Sequence, residues 1–138
     1  MAAEFVPQHE AGTDTRVVLL ADDEPLICFD IAEELRRLGY HVLEAANADE
    51  AIEVLQSTAR IDLVVTDVRM PGIRDGLDVA RAVREKRPGV RTIVMSGHLV
   101  PLEEHKRLID AFFSKPVIAD QLAHEIANLI NTDATERG

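Results

Sequence analysis

The sequence contains no tryptophan, only four phenylalanines and one tyrosine, and a single cysteine, Cys28. Since 46% of the residues are nevertheless hydrophobic and 29% are charged, the composition is that of a globular protein with an aliphatic core. One cysteine excludes an internal disulfide and a metal site built from several thiols. Because Cys28 has apolar neighbours, we expect a buried structural thiol rather than a reactive one.

Long apolar runs and clustered positive charge are also missing. No stretch approaches the roughly 20 apolar residues needed to cross a bilayer, and the N-terminus lacks the features of a secretion signal. We therefore expect a cytoplasmic protein without membrane insertion. The net charge of −10 argues against binding to nucleic acid, because phosphate contacts need clustered Lys and Arg. We predict one domain at 16–131 between polar tails at 1–15 and 132–138.

Short aliphatic runs alternate with helix-spaced apolar residues along the chain. The first run, Val17–Leu20, is continuous, as in a strand buried on both faces. Similar strand-like runs follow at His41–Glu44, Leu63–Val65, Thr92–Met95 and Ala111–Phe113. Apolar residues at helical spacing predict one helix after Pro25 and a second after Asn47. Three further helices are predicted at Leu77–Arg87, Pro101–Ile109 and Ala119–Asn131. Five strands alternating with five helices predict an α/β fold, a five-stranded parallel sheet with helices on both faces.

Polar side chains follow four of the predicted strands. They are Asp22, Asp23 and Glu24 after the first strand, Asp67 after the third, Ser96 after the fourth and Lys115 after the fifth. Because parallel strands end at one edge of a sheet, where ligands bind in such folds, we expect these groups to converge. Singly, each has an ordinary explanation: Asp22 or Asp23 could cap a helix, and Asp67 could open a turn. Their coincidence at one edge favours a functional site.

Carboxylates gathered in this way repel one another and need a counter-ion. Mg²⁺ suits them, because it takes oxygen ligands and would also neutralise a phosphoryl group arriving at a carboxylate. Lys115 would add a positive charge, and the Ser96 hydroxyl a hydrogen bond to a phosphoryl oxygen. A carboxylate nucleophile that forms an aspartyl phosphate is therefore the chemistry that these residues favour.

Four segments, Val17–Pro25, Asp67–Gly72, Met95–Gly97 and Ser114–Pro116, together resemble the receiver domain of two-component response regulators. The resemblance implies a flavodoxin-like doubly wound receiver fold and a phosphorylation-dependent signalling switch. It implies a sensor histidine kinase or a histidine phosphotransfer protein as donor, and a partner protein or a phosphorelay as recipient, with a homodimer as an option. Such a domain catalyses only its own phosphoryl transfer and dephosphorylation, so we do not expect an enzyme acting on other substrates.

The resemblance also assigns roles to residues around the metal. Asp67 stands as the phosphoacceptor. Asp23 is implied as the direct Mg²⁺ ligand, with Asp22 acting largely through water. The backbone carbonyl of Arg69 stands where the family lends an oxygen to the metal.

The remaining roles concern the response to phosphorylation. Ser96 is implied as the switch hydroxyl, Lys115 as the amine that pairs with the phosphoryl group, and Phe112 as the aromatic residue that reads out the movement. Arg69 and His98 occupy positions that modulate the phosphoryl lifetime.

The chain departs from the family pattern in two places. The loop between Pro71 and Gly76 is one residue longer than usual, and the chain from Ser96 to Lys115 is a few residues shorter. We therefore expect the fourth helix to be short or displaced. The family commonly dimerises or binds targets through the fourth helix, fifth strand and fifth helix, the region that this shortening changes.

Three alternatives to a stand-alone switch are compatible with parts of this pattern. The chain could be the receiver portion of a longer response regulator or hybrid kinase, although Met1 and the polar C-terminus favour a complete chain. An aspartate-nucleophile phosphatase of the haloacid dehalogenase type would need a second Asp two positions after Asp67, where Arg69 stands. A flavodoxin-like nucleotide or flavin binder would need a glycine-rich phosphate turn where Asp22 and Asp23 stand.

Overall fold

The structure is a computed structural model, which describes residues 15–97 and 103–137. Its five strands are β1 (Val17–Ala21), β2 (His41–Ala45), β3 (Leu63–Asp67), β4 (Arg91–Ser96) and β5 (Ala111–Ser114). Its helices are α1 (Pro25–Arg37), α2 (Ala48–Gln56), α3 (Gly76–Lys86), α4 (Glu103–Lys106) and α5 (Ala119–Arg137). Strands and helices alternate along the chain, as the sequence predicts.

The strands form one parallel sheet in the order β2-β1-β3-β4-β5. This confirms the predicted five-stranded doubly wound fold. The chain runs from β1 outward to β2 and then crosses to β3 on the other side of β1. The winding direction therefore changes between β1 and β3, and in such sheets a crevice opens at the carboxyl ends of these strands.

Burial on both faces explains the continuous aliphatic runs of the central strands. All five residues of β1 and all five of β3 are buried. In β1, Val18 and Leu20 pack in the core cluster that includes α1 and α5, whereas Leu19 and Ala21 pack in the cluster that includes α2 and α3. A strand that needs apolar side chains on both faces cannot show the alternation of a half-exposed one.

Local signals set the ends of the first two helices. Pro25 opens α1, where its missing N–H costs nothing, and Gly39 takes a φ of +101° just beyond the end of the helix. At the start of α2, Asn47 accepts a hydrogen bond from the Glu50 N–H at 2.8 Å, and the Glu50 carboxylate accepts one from the Ala46 N–H at 2.8 Å. The helix thus begins where the sequence predicts.

Two helix boundaries differ from the prediction. Within the described residues α4 covers four residues instead of Pro101–Ile109, in line with the expected shortening. Helix α5 does not end at Asn131 but continues to Arg137, so the segment predicted as a polar tail is helical up to that residue. The reason is that no Gly or Pro interrupts the chain between Asn131 and Gly138.

No helix among the described residues is both long and apolar enough to cross a membrane.

Candidate functional site

The site lies in the crevice between the carboxyl ends of β1 and β3. Asp22 directly follows β1 and Asp67 is the last residue of β3, and the two residues are only 3% and 5% exposed. Ala21 and Thr66, which precede them, are register partners in the sheet, so the two aspartates leave the sheet side by side. Parallel pairing therefore brings together two carboxylates that are 45 positions apart in the chain.

Lys115 reaches these carboxylates from the end of β5. Its backbone N–H donates to the Ser96 carbonyl at 3.0 Å, and the peptide bond to Pro116 is cis. Its Nζ donates to Oδ2 of Asp67 at 2.7 Å and to Oε1 of Glu24 at 2.9 Å, and it lies 3.9 Å from Oδ2 of Asp22. Burial opposes the charge on Lys115, but the hydrogen bonds to Asp67 and Glu24 outweigh it and raise the pKa of the ammonium. Lys115 is thus a fixed positive charge against the Asp67 carboxylate.

Only one oxygen of the Asp22 carboxylate accepts a hydrogen bond from the described part of the chain. Its Oδ1 accepts the Glu24 N–H at 2.9 Å. Its Oδ2 is buried, and no group in the described part of the chain donates a hydrogen bond to it. Burial raises the pKa of the Asp22 carboxyl, although the Glu24 N–H and the Lys115 charge act in the opposite direction. A buried carboxylate oxygen without a donor is an energetic cost that a cation would remove.

The acidic groups fit a small hard cation. One carboxylate oxygen each from Asp22, Glu24 and Asp67 lies within 4.8 Å of the others. Mg²⁺ in proteins takes oxygen ligands and usually keeps several waters. All three side chains offer oxygen, and Oδ2 of Asp22 accepts no hydrogen bond from the described residues. The residues present therefore fit the cofactor that the sequence predicts.

The structure places the other predicted site residues as follows. Asp23 is exposed and is not a member of the three-carboxylate group. Arg69, two residues after Asp67, is also exposed. Ser96 is buried at the end of β4, and its backbone carbonyl accepts the hydrogen bond from the Lys115 N–H. Phe112 is half-buried and packs against a small cluster formed by Val68, Leu77 and Val94, and His98 lies outside the described residues.

Gly76, the first residue of α3, is a site residue that sequence reasoning missed. Its N–H donates to the Val68 carbonyl at 2.8 Å. A Cβ built on Gly76 would lie 1.9 Å from the Asp67 carbonyl oxygen and 2.9 Å from the Val68 Cα. Only glycine permits this approach, because α3 begins directly against the backbone that carries the Asp67 carboxylate. A glycine directly before the predicted helix Leu77–Arg87, nine positions after the candidate nucleophile, was the signal available in the sequence.

Asp75 fixes the start of α3 at this point. Its carboxylate accepts hydrogen bonds from the N–H groups of Leu77 at 2.9 Å and Asp78 at 3.2 Å, while the Asp78 carboxylate accepts one from the Asp75 N–H at 2.9 Å. This reciprocal capping box satisfies N–H groups that a helix start otherwise leaves unpaired. The contact between α3 and the end of β3 is therefore held from the helix side as well.

Comparison with known proteins identifies the family that this chain matches. The family model described as "Response regulator receiver domain" matches residues 18–127, most of the chain. The transcriptional regulatory protein PdtaR of Mycobacterium tuberculosis is 48% identical over 73 residues, which are 52% of this chain and 35% of that protein. The chain spans 12–15% of the length of sensor kinases such as LuxN of Vibrio campbellii, CckA of Brucella abortus and RcsC of Salmonella typhi, so it corresponds to a part of these relatives.

Solved structures agree with the family match. A response regulator receiver protein from Sinorhizobium medicae has a TM-score of 0.78 at 35% identity, and the match covers 87% of this chain and 98% of that one. The response regulator TrrA from Thermotoga maritima, solved in complex with Mg²⁺-BeF, has a TM-score of 0.75 at 29% identity and covers 83% of this chain and 99% of its own. Each similarity extends over nearly the whole of the solved chain.

Proposed function

Because this chain belongs to the response regulator receiver domain family, we propose that it is a phosphorylation-dependent switch whose phosphoacceptor is the Asp67 carboxylate. The observation that carries the proposal is the 2.7 Å hydrogen bond from Lys115 Nζ to Oδ2 of the buried Asp67. Beside it lies Oδ2 of Asp22, which accepts no hydrogen bond from the described residues. Phosphoryl acceptance is general to the family, so the proposal concerns which residues perform it here. Asp67 lies at the switch point of the sheet, where ligands bind in folds of this type.

The transfer begins from a phosphorus–nitrogen bond on a histidine of the donor, or from a small acyl phosphate. An oxygen of the Asp67 carboxylate forms a bond to phosphorus while the bond from phosphorus to the donor breaks. A phosphohistidine donor leaves through its ring nitrogen, which takes up a proton, and an acyl phosphate donor leaves as its carboxylate. Lys115 faces the same carboxylate and can pair with a phosphoryl oxygen, and the Ser96 hydroxyl can donate to another. No proton need leave Asp67, since a carboxylate is the nucleophile.

Mg²⁺, when bound, would supply neutralising charge for the phosphoryl oxygens. Asp22 and Asp67 would hold it, the first through an oxygen that accepts no hydrogen bond from the residues that the structure describes. The roles of Asp23 as direct ligand and of the Arg69 carbonyl stay predictions from the family pattern. Both residues are exposed beside the crevice.

Signal output is the second half of the proposal. Phosphorylation would favour one of two conformations, and the favoured conformation would bind a partner protein or pass the phosphoryl group along a relay. The readout would run through Ser96 and Phe112, while Arg69 and His98 would adjust the phosphoryl lifetime. A sensor histidine kinase or a histidine phosphotransfer protein in the cytoplasm would be the donor. Sensor kinases that contain a matching segment support this assignment.

Phosphorylation by an acyl phosphate tests the acceptor directly. Incubation with acetyl phosphate and Mg²⁺ should add the mass of one phosphoryl group to the wild-type protein. Asp67→Asn should remain unmodified, whereas Asp49→Asn, which changes an exposed aspartate on α2, should be labelled like the wild type. Labelling of Asp67→Asn at the wild-type rate would exclude Asp67 as the acceptor.

The metal ligands need a separate measurement. Mg²⁺ should raise the melting temperature of the wild-type protein, because a ligand that binds only the folded state stabilises it. The increase should be much smaller in Asp22→Asn and, if Asp23 is a direct ligand, in Asp23→Ala. An undiminished increase in Asp23→Ala would remove Asp23 from the metal site and leave the remainder of the proposal standing.

A further inference from the structure

Glu24 is an acidic residue at the site to which the family pattern assigns no role. We propose that Glu24 is a positioning residue that keeps Lys115 at the site when a divalent cation takes the carboxylate oxygens of Asp22 and Asp67. This inference rests on the proposed function, since it concerns the same metal and the same lysine. It explains a carboxylate that stands at a helix start without capping the helix.

The side chain of Glu24 contacts Lys115 and not the start of its own helix. Glu24 is the N-cap residue of α1, a position where a side-chain oxygen usually accepts an N–H of the helix, yet its carboxylate makes no capping hydrogen bond. Oε1 instead accepts a hydrogen bond from Lys115 Nζ at 2.9 Å, across 91 positions in the chain. The Glu24 backbone is held in turn by Oδ1 of Asp22 at 2.9 Å.

Lys115 and a divalent cation compete for the same oxygens. The ammonium lies 2.7 Å from Oδ2 of Asp67 and 3.9 Å from Oδ2 of Asp22, the two buried carboxylates of the site. A cation bound to those oxygens would repel the ammonium and weaken its bond to Asp67. The Glu24 carboxylate is the third anion within reach, so it gives the ammonium a partner that the cation need not displace.

The exposures of the side chains favour this division of roles over direct metal binding by Glu24. The Glu24 side chain is 53% exposed, whereas those of Asp22 and Asp67 are 0% and 7% exposed. A metal bond lowers the free energy of a buried carboxylate that lacks a hydrogen-bond donor more than that of a carboxylate already hydrated at the rim. Retaining Lys115 at the rim keeps it ready to pair with an arriving phosphoryl group.

A double-mutant cycle on Mg²⁺ affinity tests the inference without measuring phosphorylation. The affinity is read from backbone amide NMR shifts during titration with MgCl₂, for the wild type, Glu24→Gln, Lys115→Met and the double variant. Lys115→Met should raise the affinity, because the competing ammonium is gone. Glu24→Gln should lower the affinity by about two- to fivefold more in the presence of Lys115 than in the Lys115→Met background, as expected for a partly exposed ion pair.

The control is Glu33→Gln, which removes the same charge from an exposed position farther along α1 and should leave the affinity within the error of the wild type. If Glu24→Gln lowers the affinity equally, or more, in the Lys115→Met background, Glu24 acts as a metal ligand or through its charge alone, and the inference is wrong. An unchanged affinity in Lys115→Met would also overturn it. A wild-type protein with no saturable Mg²⁺ binding would instead refute the metal site of the proposed function.

Discussion

Replacing Gly76 by alanine should lower both the stability of the domain and the rate at which Asp67 is phosphorylated. The added methyl group would lie 1.9 Å from the Asp67 carbonyl oxygen, whereas ordinary contact begins at 3.4 Å. Either α3 or the end of β3 must therefore move by about 1.5 Å, the difference between these distances. The φ of Gly76 is not in the left-handed region, so the cost is steric and not conformational.

Neither side of this contact can move cheaply. Strand β3 is paired on both sides, with β1 and with β4, and the start of α3 is held by the Asp75 capping box. Overpacking of a well-packed site costs about 1–3 kcal/mol, and a clash between two backbone segments belongs at the upper end of that range. The better helix propensity of alanine returns about 1 kcal/mol at most. We expect a net loss of about 2 kcal/mol in the free energy of unfolding.

Urea denaturation followed by circular dichroism would measure this loss, since the chain has no tryptophan for fluorescence. Gly97→Ala is the matched control, because a Cβ on Gly97 would have its nearest neighbour, the Lys115 Cβ, at an ordinary 3.8 Å. Phosphorylation by acetyl phosphate should slow by as much as about 10²-fold in Gly76→Ala, the penalty expected for moving a reacting group by more than an ångström.

The reasoning has a clear point of failure. Equal stability of Gly76→Ala and Gly97→Ala, with wild-type labelling rates in Gly76→Ala, would show that α3 does not press on Asp67. Loss of stability with normal labelling would mean that the strain is relieved within α3, and Gly76 would then be a packing residue that does not position Asp67.

Three further predictions address the scaffold. Asp75→Ala should lower the free energy of unfolding by about 1 kcal/mol through loss of the α3 cap, and Asp75→Asn, which can still accept both hydrogen bonds, should recover most of it in urea denaturation. Arg87→Ala should cost about 1 kcal/mol by the same assay, because the Arg87 guanidinium donates to two backbone carbonyls at the end of α2, at 3.1 and 2.8 Å. Burial, and to a smaller extent the hydrogen bond to Glu44, raises the pKa of the Cys28 thiol from its ordinary value of 9.0 to about 12. The stability that this thiol contributes is therefore complete below pH 9.0 and is lost as the pH rises towards 12. Cys28→Ala should therefore lose less stability than the wild type as the pH is raised. In the wild type, iodoacetamide should label the thiol only as fast as the protein unfolds. Rapid labelling of the folded protein would contradict the burial of Cys28.

Much of the fold, and the polar groups that meet at the edge of the sheet, could be predicted because their signals are local. The aliphatic run Val17–Leu20 marks a strand buried on both faces, and the polar residues at its end mark the edge of the sheet. The parallel order then brings Asp67 and Lys115 to one place whatever the loops between them do. The end of α5 was predicted less well, since the residues after Asn131 are polar yet compatible with a helix.

The chain by itself determined which chemical groups meet at the sheet edge, because short-range patterns of apolar and polar residues predict where the strands end and that the strands are parallel. The tertiary structure alone decided which of three consecutive acidic side chains lie next to Lys115. Asp22 and Glu24 contact the site while Asp23 faces solvent, and this depends on the path of the backbone between β1 and α1. It alone also showed why Gly76 must be glycine, since the clash is with the Asp67 backbone. The placement of the acidic side chains and the close approach of Gly76 both depend on contacts of a few ångströms between separate segments, and no residue pattern encodes such distances.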